Sequence, residues 1–350
     1  MRILVTGGAG FIGSHFVRTL LGPEGPGGAL AVTALDSLTY AGNLANLRIV
    51  QGDSRFTFSQ GDIRDAGLVD SLLARHDMVV HFAAESHVDR SIAGGQEFAS
   101  TNVLGTQVLL ESAVRHRIAR FVHVSTDEVY GSISAGSWSE DQPLAPNSPY
   151  SASKAGSDLL ALAHHRTHGL DVSVTRCSNN YGPYQHTEKV IPLFTTRLLD
   201  GGSVPLYGDG ANVRDWLHVD DHCRALRLVL DAGRPGEVYN IGGGTELSNT
   251  QLTERLLTAC GADWERVERV ADRKGHDRRY SVDWSKIRTE LGYRPRHSFE
   301  DGLAETVDWY RANRSWWEPA KDASDAPNAP VAPVAPRAAA RPAGAGGESR

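Results

Sequence analysis

The sequence predicts an α/β fold, a Rossmann-like doubly wound parallel sheet with a smaller C-terminal lobe. Three observations predict it. Short apolar runs alternate with helix-like stretches through the first half, the first run opens into a glycine-rich turn, and the alternation loosens after residue 177. Strand alternating with helix implies a parallel sheet with right-handed crossovers. The first strand is Arg-Ile-Leu-Val-Thr at residues 2–6, followed by the turn Gly7-Gly8-Ala9-Gly10 and a helix. Further strands are expected over residues 31–36, 56–62, 78–83, 121–126 and 172–176, with helices over 101–116 and 150–168. Several of these strands are apolar almost throughout, as expected where helices cover both faces. Residues 1–177 thus form the sheet domain. Residues 178–318 form the smaller lobe, rich in turns such as Gly208-Asp209-Gly210 and Gly242-Gly243-Gly244, interleaved with the sheet domain and able to return strands to its sheet. Residues 319–350 are Ala/Pro/Gly/Ser-rich and predict a disordered tail, because they hold too little apolar surface to offset the entropy of ordering.

Composition narrows the function classes. With 40% apolar and 22% charged residues, the 350-residue chain is an ordinary globular sequence. A net charge of −6 argues against a nucleic-acid binder, which needs a basic face. No apolar run approaches the roughly 18 residues that span a bilayer. Cys177, Cys223 and Cys260 lack metal-ligand spacing and read as reduced thiols of a cytoplasmic protein. The His164–His165 doublet points two ways from one helix, so no metal site is expected.

The cofactor signal is strong. Gly7, Gly10 and Gly13 give G-x-x-G-x-x-G between the first strand and first helix, where glycines allow a tight turn and close backbone approach to a pyrophosphate. Asp36 ends the second strand, placed to accept from an adenosine ribose. A carboxylate there repels a 2′-phosphate, which favours NAD over NADP. Asp62-Ile63, at the end of the third strand, is placed to reach the adenine.

Two further groups carry chemistry. Tyr150 and Lys154 stand i, i+4 on one helix face, and the ammonium is expected to lower the tyrosine from about 10 toward neutrality. Such a tyrosine can take a proton from a sugar hydroxyl while hydride leaves the carbon. The fifth strand closes in Ser125-Thr126-Asp127-Glu128-Val129-Tyr130-Gly131, at the carboxyl edge where open α/β sheets hold their sites. Spacing alone lets the two carboxyls cap the next segment. Chemistry offers a second use. After C4 of a hexose is oxidised, a base can remove the acidic C5 proton while an acid protonates the C6 hydroxyl as it leaves.

The chain resembles the dTDP-glucose 4,6-dehydratases of the extended short-chain dehydrogenase/reductase superfamily over residues 1–318. The motifs are T-G-G-A-G-F-I-G-S, L-D-S-L-T-Y-A-G-N, H-F-A-A-E-S-H-V-D-R-S, S-T-D-E-V-Y-G, Y-S-A-S-K, N-N-Y-G-P, G-D-G-A-N-V-R-D-W and D-R-K-G-H-D-R-R-Y. The resemblance implies a cytoplasmic, homodimeric hydro-lyase of nucleotide-sugar and deoxysugar biosynthesis, with a sugar-nucleotide-binding second lobe and no membrane or nucleic-acid partner. It implies Asp127 as acid to the leaving hydroxyl, Glu128 as C5 base, Tyr150 as C4-hydroxyl base aided by Lys154, and Thr126 holding the sugar. NAD contacts would come from Gly7, Gly10, Phe11, Ile12, Gly13, Asp36, Ser37, Leu38, Thr39, Asp62, Ile63, Phe82, Ala83, Ala84, Glu85, Ser86, Thr101, Tyr150, Lys154 and Asn180. Contacts to dTDP-glucose would come from Ser86, Thr126, Asn179, Lys189, Val190, Pro205, Leu206, Tyr207, Arg214, Asn249, Asp272, Arg273, Lys274, Gly275 and His276. Arg214 and Arg273 suit a diphosphate, since guanidinium forks match phosphate oxygens. Lys274 stands where many members carry proline, as in variants from antibiotic deoxysugar pathways, so the product's destination stays open between these and cell-wall rhamnose.

Two other readings compete. A sugar-nucleotide 4-epimerase would use Tyr150 and NAD but would not need Glu128. A non-catalytic NAD-sensing regulator predicts decay of the Tyr/Lys pair, yet both residues are intact.

Overall fold

The computed structural model describes residues 1–23, 25–26, 29–272 and 275–325. Its strands, in chain order, are β1 (Arg2–Thr6), β2 (Ala31–Asp36), β3 (Phe56–Gln60), β4 (Met78–His81), β5 (Arg120–Thr126) and β6 (Val172–Cys177). They continue with β7 (Asn179–Tyr181), β8 (Val204–Tyr207), β9 (Val213–His218), β10 (Val238–Ile241), β11 (Glu246–Ser248) and β12 (Val267–Val270). Seven of them form one sheet in the order β10-β6-β5-β4-β1-β2-β3. Every pairing in it is parallel. The order reverses between β1 and β4, which opens a crevice at the carboxyl edge.

Both faces of this sheet are buried, and the side-chain alternation shows it. Ile3 and Val5 pack with Phe16, Val17 and Leu226 on one face. Leu4, between them, packs with Leu72, Leu109, Leu110 and Ala161 on the other. Every residue of β5 is buried, so the strand that carries the carboxyl pair lies deep in the molecule.

The second lobe holds a three-stranded sheet, β11-β9-β7, and a two-stranded one, β12-β8. Its core joins Tyr181, Ile191, Phe194, Trp216, Leu252, Leu256, Phe299 and Leu303. As the turn-rich sequence allowed, β10 returns to the large sheet and pairs with β6. None of the described helices is long and apolar enough to cross a membrane.

Three sequence expectations need correction. The third and fourth strands end at Gln60 and His81, before the predicted 62 and 83, because the chain turns off the sheet to line the crevice. The helix expected over 101–116 begins instead as a π-helical turn, Ala99–Gly105, continued by the helix Thr106–Arg115. The buried Asn102 explains the wide turn: its side chain bonds Glu85 through both amide atoms (2.8 and 3.0 Å) and Ser153 Oγ at 2.8 Å. The tail expected from 319 meets a helix, Arg314–Asp325, with Pro319 in its interior. That helix is anchored by Trp317, which donates to the Tyr310 carbonyl, and Trp316, which donates to Asn46 Oδ1. Residues 326–350 lie outside the described residues.

Candidate active site

The glycine turn is built by close approach. Gly7 has φ +66°, and a Cβ there would stand 2.7 Å from the Ala83 amide nitrogen, so only glycine fits. A Cβ on Gly13 would sit 2.2 Å from the Gly7 carbonyl oxygen. Gly10 opens the helix Phe11–Leu21 without a side-chain cap, leaving its first N–H groups for an anion. Asp36 accepts from the Ala9 amide (2.9 Å) and the Leu38 amide (2.8 Å), and each oxygen keeps a lone pair for a ribose hydroxyl.

One cavity runs from this turn to the catalytic strand. It is lined by Gly7, Gly10, Phe11, Ile12, Gly13, Asp36, Ser37, Thr39, Asp62, Ile63 and Thr101 at the sheet's β1–β3 side. Phe82, Ala83, Ala84, Glu85 and Ser86 form its middle, and Thr126, Asp127, Glu128, Tyr150, Lys154, Asn179, Asn180 and Lys189 its far end. The bare glycine turn, the uncapped helix end and the Asp36 carboxylate on one elongated cavity fit a dinucleotide. Leu38 alone of the expected cofactor contacts does not line it; its side chain packs against the core.

The helix Pro149–His168 starts on Ser148, which caps it, and on Pro149 at its first position. It delivers Tyr150 and Lys154, both nearly buried, beneath the end of β5. Lys154 Nζ donates to the Val124 carbonyl at 2.8 Å, and burial lowers its ammonium to about 8. The phenol departs from expectation. Burial, and then the Glu128 charge, push Tyr150 well above its ordinary value, with Thr126 as its hydrogen-bond partner. The lysine alone therefore does not make a phenolate here.

The two carboxyls differ sharply. Asp127 is 3% exposed, its Oδ2 has no hydrogen-bond partner, and burial and then the Glu128 charge raise it well above the usual carboxylate range. Its surroundings therefore favour the protonated form. Glu128 is fixed by Ser151 Oγ, which donates to Oε2 at 3.1 Å. Thr126 Oγ1 accepts from the Glu128 amide and donates to Asp127 Oδ1, both at 3.3 Å. Two carboxyls in different surroundings thus sit side by side at one strand end.

A second cavity adjoins the first, with Glu128, Asn179, Glu188 and Lys189 on both walls. Val190, Pro205, Leu206, Tyr207, Arg214, Asn249 and His276 line it. The helix Val190–Leu199 begins there without a side-chain cap, another seat for a phosphate. Arg214 spans the Asp277 carbonyl (2.9 Å) and lies 4.2 Å over the Tyr280 ring. Asp272 pairs with His276 at 2.6 Å, and Gly275 is a left-handed turn residue beside Asn147. Arg273 and Lys274 lie outside the described residues.

Sequence reasoning passed over three residues. Ser151, which holds Glu128, follows Tyr150 directly and was legible as a polar neighbour of the base. Asn102 clamps the 82–86 segment to the catalytic helix. Glu188, between the cavities, has Arg90 at 3.5 Å and His87 at 3.7 Å. Only its place before Lys189 hinted at it.

Over residues 4–306 the chain matches the family described as GDP-mannose 4,6 dehydratase. It is 67% identical to a dTDP-glucose 4,6-dehydratase of an Actinoplanes species, over 91% of this chain and 100% of that relative. To one from Streptomyces niveus it is 64% identical, over 92% and 96%. DesIV of Streptomyces venezuelae, a dTDP-glucose 4,6-dehydratase solved with NAD bound, superposes with a TM-score of 0.90 at 67% identity, covering 91% of this chain and 100% of that one. The UDP-glucose 4-epimerase of Thermotoga maritima reaches 0.83 at 34% identity, covering 90% and 100%.

Proposed function

The chain belongs to the dTDP-glucose 4,6-dehydratases of the extended short-chain dehydrogenase/reductase superfamily, and on that premise we propose that it removes water across C5–C6 of dTDP-glucose. The reaction is an NAD-dependent hydro-lyase reaction of deoxysugar biosynthesis, and its product is dTDP-4-keto-6-deoxyglucose. The observation that carries it is the buried Asp127 carboxyl, its Oδ2 without a hydrogen-bond partner, beside the Ser151-anchored Glu128 on the same cavity as Tyr150 and Lys154.

Gly7, Gly10, Gly13 and Asp36 along the first cavity would hold NAD, which would supply the hydride acceptor for C4 and the hydride donor for C6. The chain's residues move the protons. Tyr150 would accept the C4 hydroxyl proton as a phenolate, a form that the Lys154 ammonium one helical turn away and the positive charge of a bound nicotinamide together favour, with Thr126 as its hydrogen-bond partner. Oxidation makes the C5 hydrogen acidic, and Glu128 removes it. Asp127 gives its proton to the C6 hydroxyl, so the C5–H and C6–O bonds break, a C5=C6 double bond forms and water leaves. The proton held by Glu128 then returns to C5. Lys189, Arg214 and the start of the helix Val190–Leu199 suit the diphosphate in the second cavity. Arg273, Lys274 and the other substrate contacts carried over from the family belong to the same proposal.

Because oxidation and reduction fall on one substrate, NAD is recycled within each turnover. Purified protein given dTDP-glucose and substoichiometric NAD is expected to form the 4-keto product continuously. Stoichiometric release of NADH, or inversion at C4 without loss of water, would refute the proposal.

The enzyme is also proposed to work as a cytoplasmic homodimer. All three cysteines carry free thiols. Leu104 and Leu159 are 61% and 58% exposed, on the segments Ala99–Gly105 and Pro149–His168, which pack together. A second copy covering that face would remove both from water. Light scattering is expected to give a dimer mass, and Leu104→Glu with Leu159→Glu a monomer.

A further inference from the structure

Arg176, on β6, is 3% exposed, so its charge has left water almost completely. A guanidinium is buried in this way only where fixed partners receive it. Two do, and they belong to different catalytic segments. Its Nε donates to Asp158 Oδ2 at 2.9 Å, and one terminal nitrogen donates to the Tyr130 hydroxyl at 2.8 Å.

Asp158 lies on the helix Pro149–His168, at i+4 from Lys154 and i+8 from Tyr150, hence on the same face. His123 Nε2 on β5 stands 3.3 Å from its other oxygen. Tyr130 closes the 3-10 turn Asp127–Tyr130, which carries both catalytic carboxyls. Burial pushes its phenol up to about 12, so it keeps its proton and donates to Asn240 Oδ1 at 2.9 Å on β10. Asn240 is itself tied down, donating to the carbonyls of Trp138 (2.9 Å) and Asp283 (3.1 Å). None of Arg176, Tyr130 and Asp158 lines either cavity. Their effect on chemistry must pass through the residues they hold.

We propose that Arg176, by joining Tyr130 to Asp158, is a positioning residue that fixes the acid–base turn of Asp127 and Glu128 against the Tyr150–Lys154 helix. The inference rests on the dehydratase reading, because only that reaction needs both segments at once. Oxidation acts at C4 and elimination at C5 and C6, so groups from the two segments must meet adjacent carbons of one ring. A guanidinium fork can hold two acceptors at a set angle. An ammonium, a point donor on a flexible stem, cannot.

Arg176→Gln would strand the buried Asp158 carboxylate and unsettle the fold, so the informative variants are milder. Tyr130→Phe deletes one hydroxyl and keeps the ring stacked against Trp138. Arg176→Lys keeps the charge opposite Asp158. The test compares holoenzymes of wild type, both single variants and the double variant with dTDP-glucose, reading kcat, KM, exchange of the C5 hydrogen with solvent deuterium and the absorbance of reduced nicotinamide. Each single variant is expected to lower kcat for dehydration by about 10- to 100-fold with KM unchanged, the scale set by small misplacements of reacting groups. C5 exchange slows in parallel, and reduced nicotinamide accumulates because elimination now lags oxidation. The double variant is expected to be no slower than the slower single one, since both act along one path. A wild-type kcat in Tyr130→Phe, or multiplicative losses in the double variant, would overturn the positioning role while wild-type turnover keeps the dehydratase reading intact. Failure of the wild type to make the 4-keto-6-deoxy product would overturn that reading and this inference with it.

Discussion

Asp127 and Glu128 are neighbours in sequence that the proposed reaction uses for opposite tasks. The deeper one is pushed toward its protonated form, because burial penalises its charge and the adjacent carboxylate adds to that penalty. Glu128→Gln preserves shape but removes the base, and Asp127→Asn removes the acid. Both variants are expected to bind NAD and substrate yet lose dehydration by about 10²–10⁴-fold, the range for positioned acid–base groups. Glu128→Gln should also lose C5 hydrogen exchange, whereas Tyr150→Phe should block the sequence before any reduced nicotinamide forms. Wild-type dehydration by Glu128→Gln would end the case for an elimination base. Lys154 adds a pH signature. Its pKa is lowered to about 8 by burial, so the ammonium is present below that pH and lost above it. The pH profile of kcat is therefore expected to fall on its alkaline side near 8, instead of near the roughly 10.4 of an ordinary lysine. A profile flat to pH 10 would show that the charge is not needed. These residues were legible because each motif is local in the chain: glycines three apart, a carboxylate pair, a tyrosine and lysine one turn apart. Glu188 and Asn102 were not, since their meaning arises only when distant segments close around them.

Elements were read best where burial leaves the sequence no choice. The inner strands β1 and β4 are mostly apolar because both faces are covered there, and even a strand as short as β4 announces itself, though not its end. The π-turn at Ala99–Gly105 had no such signal: it follows from Asn102 reaching Glu85, a contact that exists only after the loop beyond β4 has folded back. The C-terminal helix was missed for another reason. The tail was drawn from Pro319, just past Trp316 and Trp317, so the residues that anchor the helix fell outside the segment whose composition was weighed. Trp317 is fully buried, and the Trp316 ring meets Tyr184 and Trp309 while its Nε1 reaches Asn46 on the cofactor side. Asn46 in turn donates to the Ala9 carbonyl within the glycine turn. The helix thus ties the second lobe to the cofactor site. Removing residues 326–350, which hold no aromatic anchor, is expected to leave melting temperature and activity unchanged. Truncation before Arg314 should lower the melting temperature by several degrees, since losing a large buried aromatic costs about 3–5 kcal/mol. Equal melting temperatures for the two truncations would show that the tryptophans contribute nothing.

At the scale of the whole molecule the sheet gathers its ionisable groups in depth, and histidine makes that measurable. The rings of His15, His76, His81, His123, His186, His218 and His222 are all lowered, with burial the largest cause in every case. They come from both lobes: His81 and His123 lie on neighbouring strands of the large sheet with ring centroids 5.3 Å apart, and His218 ends β9. For His186 and His218 the folded value is about 4, and for His222 about 3, against an ordinary 6.5. The sign follows from proton counting. Between the folded value and 6.5 the unfolded chain binds protons that the folded chain refuses, so acidification through that window favours unfolding. His297, raised by its bond to Asp221, works the other way, and so do the buried carboxyls of Asp36, Glu85, Asp127, Glu140, Glu188 and Asp215, which are raised and bind protons more readily in the folded chain. The histidine contribution is flat at neutral pH and falls from pH 6.5 toward 4, and it is expected to outweigh the carboxyls, so that stability falls over that range. Melting temperatures measured across that range test it directly. A melting temperature constant down to pH 4.5 would mean that these rings take up protons inside the fold at no cost. Carboxylates lowered on folding, such as Asp158 and Asp221, would place their loss below the unfolded value near 4, and the raised ones give no loss on acidification at all. The onset near 6.5 is thus the mark that assigns the instability to buried histidines.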